Sequence, residues 1–293
     1  MTDIAVSTAG IPLLRRAHGL AARSPTFAVG FVMIGIFAVV AFIAPWMTPF
    51  GPTETFPYEV LTAPGKRFLL GSDGNGMDIL TRVMYGSRYA FGIAIPAVAI
   101  GLVVGLPLGL VAGYVGGMID EVMLRILDVL RSFPVIVLAL AVVAATGQSL
   151  LNVILVIGFL DAPIFARVVR AEVLALRSSS LVESAIAAGN PSWRIMFVHV
   201  LPNAIRGATA QISIRMAWAV RISATLAFIG VGIQAPAPEW GAMIRQGAEY
   251  VISGEWWIAT FPGLALVGIV LGFNLLGDGL QDLLDPKHAG SGK

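Results

Sequence analysis

The chain has no cysteine and few charged side chains, and these two shortages exclude much of the chemistry of soluble proteins. None of its 293 residues is a cysteine, which excludes disulfide bonds and thiol chemistry. Only 12% of the residues are charged, whereas about 25% is typical of soluble domains. The net charge of +2 gives no basis for nucleic-acid binding. A hydrophobic content of 57% and a mean hydropathy of +0.85 instead predict an all-α integral membrane protein.

Sequence motifs for catalysis and nucleotide binding are missing as well. The sequence has no Gly-x-x-x-x-Gly-Lys-Ser/Thr phosphate loop, no His-Glu-x-x-His motif and no Gly-x-Ser-x-Gly motif. An intramembrane enzyme such as a protease would need a catalytic set at membrane depth. The histidines, His18, His199 and His288, all lie outside the apolar runs. We therefore expect no catalytic residue, no metal and no cofactor in this chain.

Six long apolar runs predict six transmembrane helices. About 20 apolar residues span the ~30 Å hydrocarbon core of a bilayer. The first run, residues 27–47, follows a basic tail and could be a signal peptide, but its length favours a retained helix. Gly101, Gly105 and Gly109 are spaced by four, which predicts close contact between helices. The other runs are 89–113, 124–145, 150–169, 208–232 and 258–276.

The distribution of Lys and Arg predicts that both ends of the chain lie inside the cell. With the N-terminus inside, most basic residues fall in inner segments, as the positive-inside rule requires. The polar segment 178–203 is then cytoplasmic. The predicted organisation is an inner tail at 1–26, the first helix at 27–47, an extracytoplasmic loop at 48–88, a transmembrane permease domain at 89–284 and an inner tail at 285–293.

The polar segment 178–203 is patterned as two short helices. Ser180 and Glu183 have the spacing of a capping box, which predicts a helix that begins there. Leu181, Ala185 and Ala188 then fall near one face of this helix. Gly189 can end this helix in a left-handed conformation, and a second helix is expected from Ser192 until Pro202 stops it. On these residues alone, an ordinary surface loop explains the pattern equally well.

The same segment resembles the "EAA" loop of ABC importer permeases, in which Glu-Ala-Ala is followed by Gly and, after a fixed gap, by Leu-Pro. Ser184 stands where the family usually has Ala. In that family the loop is a coupling helix that sits in a groove of a cytoplasmic ATPase. The resemblance implies that Glu183 orients the loop, that Gly189 supplies its turn and that Ala185 lets the ATPase approach. The matching positions are Glu183, Ser184, Ala185, Gly189, Leu201 and Pro202.

Three further motifs resemble the dipeptide, oligopeptide and nickel permeases. Residues 69–80 resemble their Leu-Gly-Thr-Asp…Gly-Arg-Asp motif, with Met77 in place of Arg. By spacing alone, Asp73–Gly76 is a turn that lacks the acids of a Ca²⁺ loop. Residues 226–241 and 273–286 resemble the same group. The resemblance covers 69–286 and implies a type I ABC importer permease fold of the second-permease (C-type) branch, in the cytoplasmic (inner) membrane of a bacterium or archaeon.

The resemblance also implies partners. These are a homologous permease subunit, cytoplasmic ABC ATPase subunits that bind the ATP, an extracytoplasmic solute-binding protein and membrane lipid. The implied cargo is a di- or oligopeptide, and nickel or another small solute stays open. A secondary transporter or channel also fits the helices, but it leaves segment 178–203 unexplained, and a proton relay would want more than one buried acid.

Three charged residues interrupt the apolar runs: Asp161, Arg215 and Arg221. A charge near the centre of a bilayer costs at least ~2.5–3.5 kcal/mol. Asp161 therefore pairs with one of the two arginines, or reaches a helix end, or these residues line the translocation path. Our hypothesis pairs Asp161 with Arg221 across two helices. Ser223 stands where the family resemblance leads us to expect an acid.

Overall fold

Long helices make up most of the structure, a computed structural model that describes residues 24–284 without the side chains of Arg206 and Leu284. Within that range, β-type pairing consists of one isolated antiparallel bridge between Ser72 and Asp78. The helices are α1 (Pro25–Met47), α2 (Ile79–Val115), α3 (Gly117–Ser132), α4 (Val135–Thr146), α5 (Leu150–Arg177), α6 (Ser180–Ala187), α7 (Leu201–Ile229), α8 (Trp240–Ala248) and α9 (Trp257–Leu284).

Helices α1, α2, α5, α7 and α9 are each long and apolar enough to cross a membrane. Helices α3 and α4 pass that test only as a pair, and they are bent by 85° where they meet. The predicted single helix at 124–145 is therefore wrong. Pro134 has no amide hydrogen and holds Phe133 in an extended conformation, so the helix breaks there. The predicted number of six spans holds when the bent pair counts as one.

Several helices extend beyond the apolar runs. Helix α2 begins before residue 89 because Asp78 caps it, with its carboxylate accepting from the Thr81 amide at 2.8 Å. Helix α5 continues past residue 169 to Arg177. Hydropathy marks the part of a helix that can contact lipid. Polar turns at the ends of a helix are therefore not detected by hydropathy. Residues 1–23 and 285–293, which make up nearly all of the two predicted inner tails, lie outside the described residues. Some of the basic residues on which the predicted orientation depends lie there too, so the orientation stays a prediction.

Helices α2 and α5 pack along a row of glycines, as the spacing of four predicted. A Cβ added at Gly105 would lie 2.6 Å from the Ala162 carbonyl oxygen. At Gly109 it would lie 2.3 Å from the Ala166 oxygen. Small residues allow backbones to approach this closely where lipid supplies no hydrophobic drive for association. The interface therefore depends on the absence of side chains at these positions.

A buried arginine fixes the loop between α1 and α2. Arg82 is 1% exposed, and its guanidinium donates to the carbonyl oxygens of Pro52 and Pro236, both at 3.1 Å. Its Nε lies 3.6 Å from an Asp73 carboxylate oxygen. The other Asp73 oxygen accepts from the Met77 amide at 2.9 Å, within the predicted turn. Asp73 therefore organises the loop, and Arg82 joins it to the loop that precedes α8.

Candidate functional site

Residues 178–203, which we call the protrusion, connect the end of α5 to the start of α7. Helix α6 leads through a turn to one helical turn at Ser192–Arg194 and then to a π-helical turn at Ile195–Val200. The chain continues directly into α7, so the predicted stop before Pro202 is wrong. A π-helical turn shifts the hydrogen-bond pattern, which accommodates the missing proline amide. The Asn203 side-chain amide also donates to the His199 oxygen at 2.8 Å.

The predicted capping box does not form. Ser179, not Ser180, occupies the N-cap position of α6, and no side chain caps this end. The Ser179 hydroxyl instead donates to the Leu176 oxygen at 2.6 Å, because α5 ends beside it. Glu183 is exposed, and its carboxylate has no hydrogen bond or ion pair within residues 24–284. The carboxylate is therefore free to meet a partner.

The predicted left-handed turn at Gly189 is confirmed, since its φ is +76°. The Asn190 amide donates to the Ala185 oxygen at 3.2 Å, and the Gly189 amide donates to the Ile186 oxygen at 2.9 Å. This pair of bonds is a Schellman motif, which satisfies the last carbonyls of a helix. The Asn190 side chain adds a bond to the Ala185 oxygen at 3.0 Å. The turn is therefore held on both sides of Gly189.

The buried face of α6 includes one of the three residues predicted to lie near one face. Val182 and Ala185 are buried and pack in one cluster with Ile195, Met196 and Val200. The small side chain of Ala185 lets α6 lie close to the chain's own π-helical turn, and the prediction that it also lets an ATPase approach stays a prediction. Leu181 and Ala188, predicted to share its face, are exposed.

The outer surface of the protrusion carries apolar side chains. Leu181 is 43% exposed, Ile186 58% and Trp193 64%. Large exposed apolar groups at a helix turn outside the spans are typical of a protein–protein contact. The sequence analysis missed Ile186 and Trp193, although a tryptophan in a polar segment was a usable signal. Of the residues predicted for ATPase coupling, Glu183, Ser184, Gly189 and Pro202 are exposed and Leu201 is half-buried.

The intramembrane acid pairs with a different arginine from the one in our hypothesis. Asp161 on α5 is 1% exposed and forms an ion pair with Arg215 on α7. The Arg215 guanidinium also lies 4.3 Å from the centre of the Trp218 ring. Arg221 is exposed and has no acidic partner in the described part of the chain. At 3.6 residues per turn, Arg215 and Arg221 point to different sides of α7, so Asp161 meets one of them.

An acidic side chain from another element lies near Ser223. Ser223 on α7 is 2% exposed, and its hydroxyl has no hydrogen-bond partner within residues 24–284. Glu239, 5% exposed, lines the same small cavity and caps α8 by accepting from the Ala242 amide at 2.9 Å. Burial raises the pKa of Glu239 to about 7, against the lowering effect of backbone N–H groups. The spacing of Ser223 and Glu239 in the sequence does not indicate that they line the same cavity.

Comparisons with known proteins match two family models to this chain. Residues 105–289 match the family described as "Binding-protein-dependent transport system inner membrane component". Residues 22–64 match the N-terminal transmembrane domain of oligopeptide transport permease C. The first match includes the protrusion, α7 and most of the glycine row.

Relatives cover most of the chain. A dipeptide transport system permease protein of Alkalihalophilus pseudofirmus is 40% identical over 259 residues, 88% of this chain and 85% of that protein. A glutathione transport system permease protein of Salmonella typhimurium is 43% identical over 263 residues, 89% of this chain and 86% of that protein. A glutathione permease of Pectobacterium atrosepticum is 40% identical over 262 residues, 89% of this chain and 86% of that protein.

A solved structure shares the fold. A chain of the methionine ABC transporter in inward-facing conformations has a TM-score of 0.54 and 23% identity, and covers 68% of this chain and 93% of that one. The chain is thus a multi-pass inner-membrane protein of a bacterium. It belongs to the family of binding-protein-dependent transport system inner membrane components, as a permease subunit of an ABC importer.

Proposed function

We propose that this permease carries short peptides across the inner membrane. Two kinds of relative, the dipeptide and the glutathione permeases, are named for such cargo. The chain would pair with a homologous permease, receive cargo from an extracytoplasmic solute-binding protein and obtain energy from cytoplasmic ATPase subunits. Its N- and C-termini would lie inside the cell, so that the protrusion meets the ATPases.

The structural observation that carries the energy coupling in this proposal is the apolar outer surface of the protrusion. Leu181, Ile186 and Trp193 are exposed, while the opposite face of α6 is packed into the chain's own core. Glu183 is exposed on the same short helix as Leu181 and Ile186. A groove on an ATPase that buries this surface would gain apolar contact area without unfolding the protrusion.

Work done on the protrusion can reach the membrane through two helices. Its ends continue into α5 and α7, and the ion pair between Asp161 and Arg215 joins those helices inside the membrane. A push on the protrusion would therefore move α5 and α7 together as one body. Arg221, exposed on α7 within a span, would line the path that this movement opens, because a lone charge there needs water or protein around it.

Uptake by the reconstituted complex tests this proposal. We expect proteoliposomes that hold both permeases, the ATPases and the binding protein to accumulate a labelled dipeptide when ATP is supplied. Trp193→Ser should reduce this uptake by about tenfold or more, the usual effect of losing a tryptophan anchor. Trp256→Ser is the control, because Trp256 is 51% exposed in the loop before α9. Unchanged uptake by Trp193→Ser would remove the docking role, and a wild-type complex that imports no peptide would remove the cargo.

A further inference from the structure

A polar cavity lies at the end of α7 opposite the protrusion. Its volume is about 390 Å³, within the range of small-molecule sites. It lies between the last turn of α7, the loop that follows it, and α8. The side chains that matter for its chemistry are Arg245 on α8, Glu249 at the C-cap of α8, and the amides of Gln234 and Gln246.

The arginine of this cavity is seated without an acidic partner. A Cβ at Gly230 would lie 2.1 Å from an Arg245 guanidinium nitrogen, and Gly230 ends α7 with a φ of +93°. The guanidinium therefore rests against the carbonyl end of α7, where the helix dipole favours a cation. Arg245 has no ion pair or side-chain hydrogen bond within residues 24–284. Its planar fork of donors is free to bind a carboxylate with two hydrogen bonds.

The opposite charge lies one helical turn away. Glu249 follows Arg245 by four residues and, as the C-cap of α8, keeps a helical backbone conformation, so the two side chains are neighbours on the helix surface. The two form no ion pair with each other, and Glu249 is also without an acidic or basic partner in the described range. Gln234 is held in place by a hydrogen bond to Gln148, at the start of the loop before α5. The cavity thus presents a cation, an anion and amides side by side.

We infer that this cavity is a subsite for the charged ends of a short peptide, an inference that rests on the proposed function. Arg245 binds the terminal carboxylate, and Glu249 binds the terminal ammonium group. The amides of Gln234 and Gln246 can donate to and accept from a peptide group between those ends. The permease would thereby contact the cargo where it enters the translocation path, at the last turn of α7. This contact would select the cargo a second time, after the binding protein has done so.

Cysteine labelling tests occupancy of the cavity directly, because the chain has no cysteine of its own. Ala235→Cys places a thiol on the wall of the cavity, and Ser253→Cys places a control thiol outside it. The probe is dialanine, added to the complete purified complex without ATP or binding protein. We expect dialanine to slow maleimide labelling at position 235 about tenfold at saturation and to leave labelling at position 253 unchanged.

Matched peptides and variants assign the two charges. Dialanine amide should protect position 235 poorly in the wild type, and Arg245→Gln should reduce protection by dialanine by about tenfold or more, as expected for a lost charge-assisted hydrogen bond. Arg88→Gln, on an exposed arginine elsewhere, should have no effect. In the same way, N-acetyl-dialanine should protect position 235 poorly in the wild type, and Glu249→Gln should reduce the protection that dialanine gives.

The outcomes of these assays separate this inference from the proposed function. A complex that imports dialanine but shows no protection at position 235, or equal protection by the free and the amidated peptide, overturns the inference alone. Equal protection in the wild type and in Arg245→Gln does the same. A complex that imports no peptide overturns the proposed function, and the inference with it.

Discussion

At the scale of single residues, the buried charges show how this chain tolerates polar groups in apolar surroundings. Arg82 is neutralised by Asp73 and by backbone oxygens, and Asp161 is neutralised by Arg215. Glu239 has no basic partner in the described chain and instead holds its proton up to about pH 7. Each solution avoids an isolated buried charge, which would cost several kcal/mol.

The ion pair between Asp161 and Arg215 should be needed for stability. Asp161→Ala leaves the Arg215 guanidinium uncompensated, and breaking a buried pair in this way costs about 3–5 kcal/mol. We expect a lower thermal unfolding midpoint for the purified permease complex. Arg221→Ala should leave the midpoint nearly unchanged, because the exposed Arg221 has no acidic partner within residues 24–284. An equal loss in both variants would contradict the assigned pairing.

Glu239 should make stability fall as the pH rises. Its pKa is raised from 4.5 to about 7 in the folded state, so the folded protein binds the proton more tightly than the unfolded chain does. This contribution is fully present below about pH 4.5 and is lost as the pH rises through about 7, with a limit on the order of 3 kcal/mol. Between pH 5 and 8, the thermal unfolding midpoint should therefore fall less steeply with rising pH in Glu239→Gln than in the wild type. Parallel slopes for the two proteins would refute this.

At the scale of helices, one interface and one turn determine how force passes through the chain. The glycine row lets α2 and α5 pack closely, and the Schellman motif fixes the angle at which the chain leaves α6. Both depend on positions without a side chain. They differ in cause, because Gly109 faces a neighbouring backbone, whereas Gly189 has open space around it and needs a positive φ.

A side chain in the glycine row should separate α2 from α5. The Cβ of Gly109→Val would overlap the Ala166 carbonyl oxygen, and overpacking of this kind costs about 1–3 kcal/mol. We expect a lower yield of folded, monodisperse protein in size-exclusion chromatography and a lower unfolding midpoint. Gly92→Val is the matched control, since it lies on the same helix and a Cβ there meets nothing within 4 Å. If both variants behave alike, close packing is not the reason for the row.

The turn of the protrusion should matter for coupling more than for folding. Gly189→Val forces a β-branched residue into the left-handed region, which costs about 1–3 kcal/mol and favours a different exit angle from α6. We expect normal assembly in the membrane, together with ATP hydrolysis that no longer drives peptide uptake. Parallel assays of hydrolysis and uptake in proteoliposomes measure this. Coupled uptake at the wild-type level would show that the angle of this turn is not critical.

At the scale of the whole molecule, the sequence predicted the features that depend on local pattern. It did not predict the contacts between residues that are far apart in the sequence. Apolar runs located the spans, and the order of Gly189, Asn190 and Pro191 located a turn. Pro134 carried a signal for the break between α3 and α4 that hydropathy averaging concealed. No local pattern could show which arginine Asp161 meets, because that depends on the rotation of α7 against α5.

Long-range packing also explains the errors within the protrusion. The Ser180–Glu183 spacing is correct for a capping box, but the end of α5 lies where Ser179 can donate to it, and the helix begins without a side-chain cap. Ala185 has the small size expected for close approach, yet the surface that approaches it belongs to the same chain. The capping box is therefore wrong, whereas the contact of this segment with an ATPase stays a prediction.

The central claim is that the protrusion contacts an ATPase subunit, and cross-linking from one introduced cysteine tests it most directly. Ser184→Cys replaces an exposed small residue on α6 in a chain without cysteine, and Ser253→Cys provides a control position in the loop before α9. With a short thiol-to-amine cross-linker on the assembled complex, we predict a covalent product of this chain with an ATPase subunit for position 184 and none for position 253. Cross-linking to the ATPase from position 253 and not from position 184 would contradict the account.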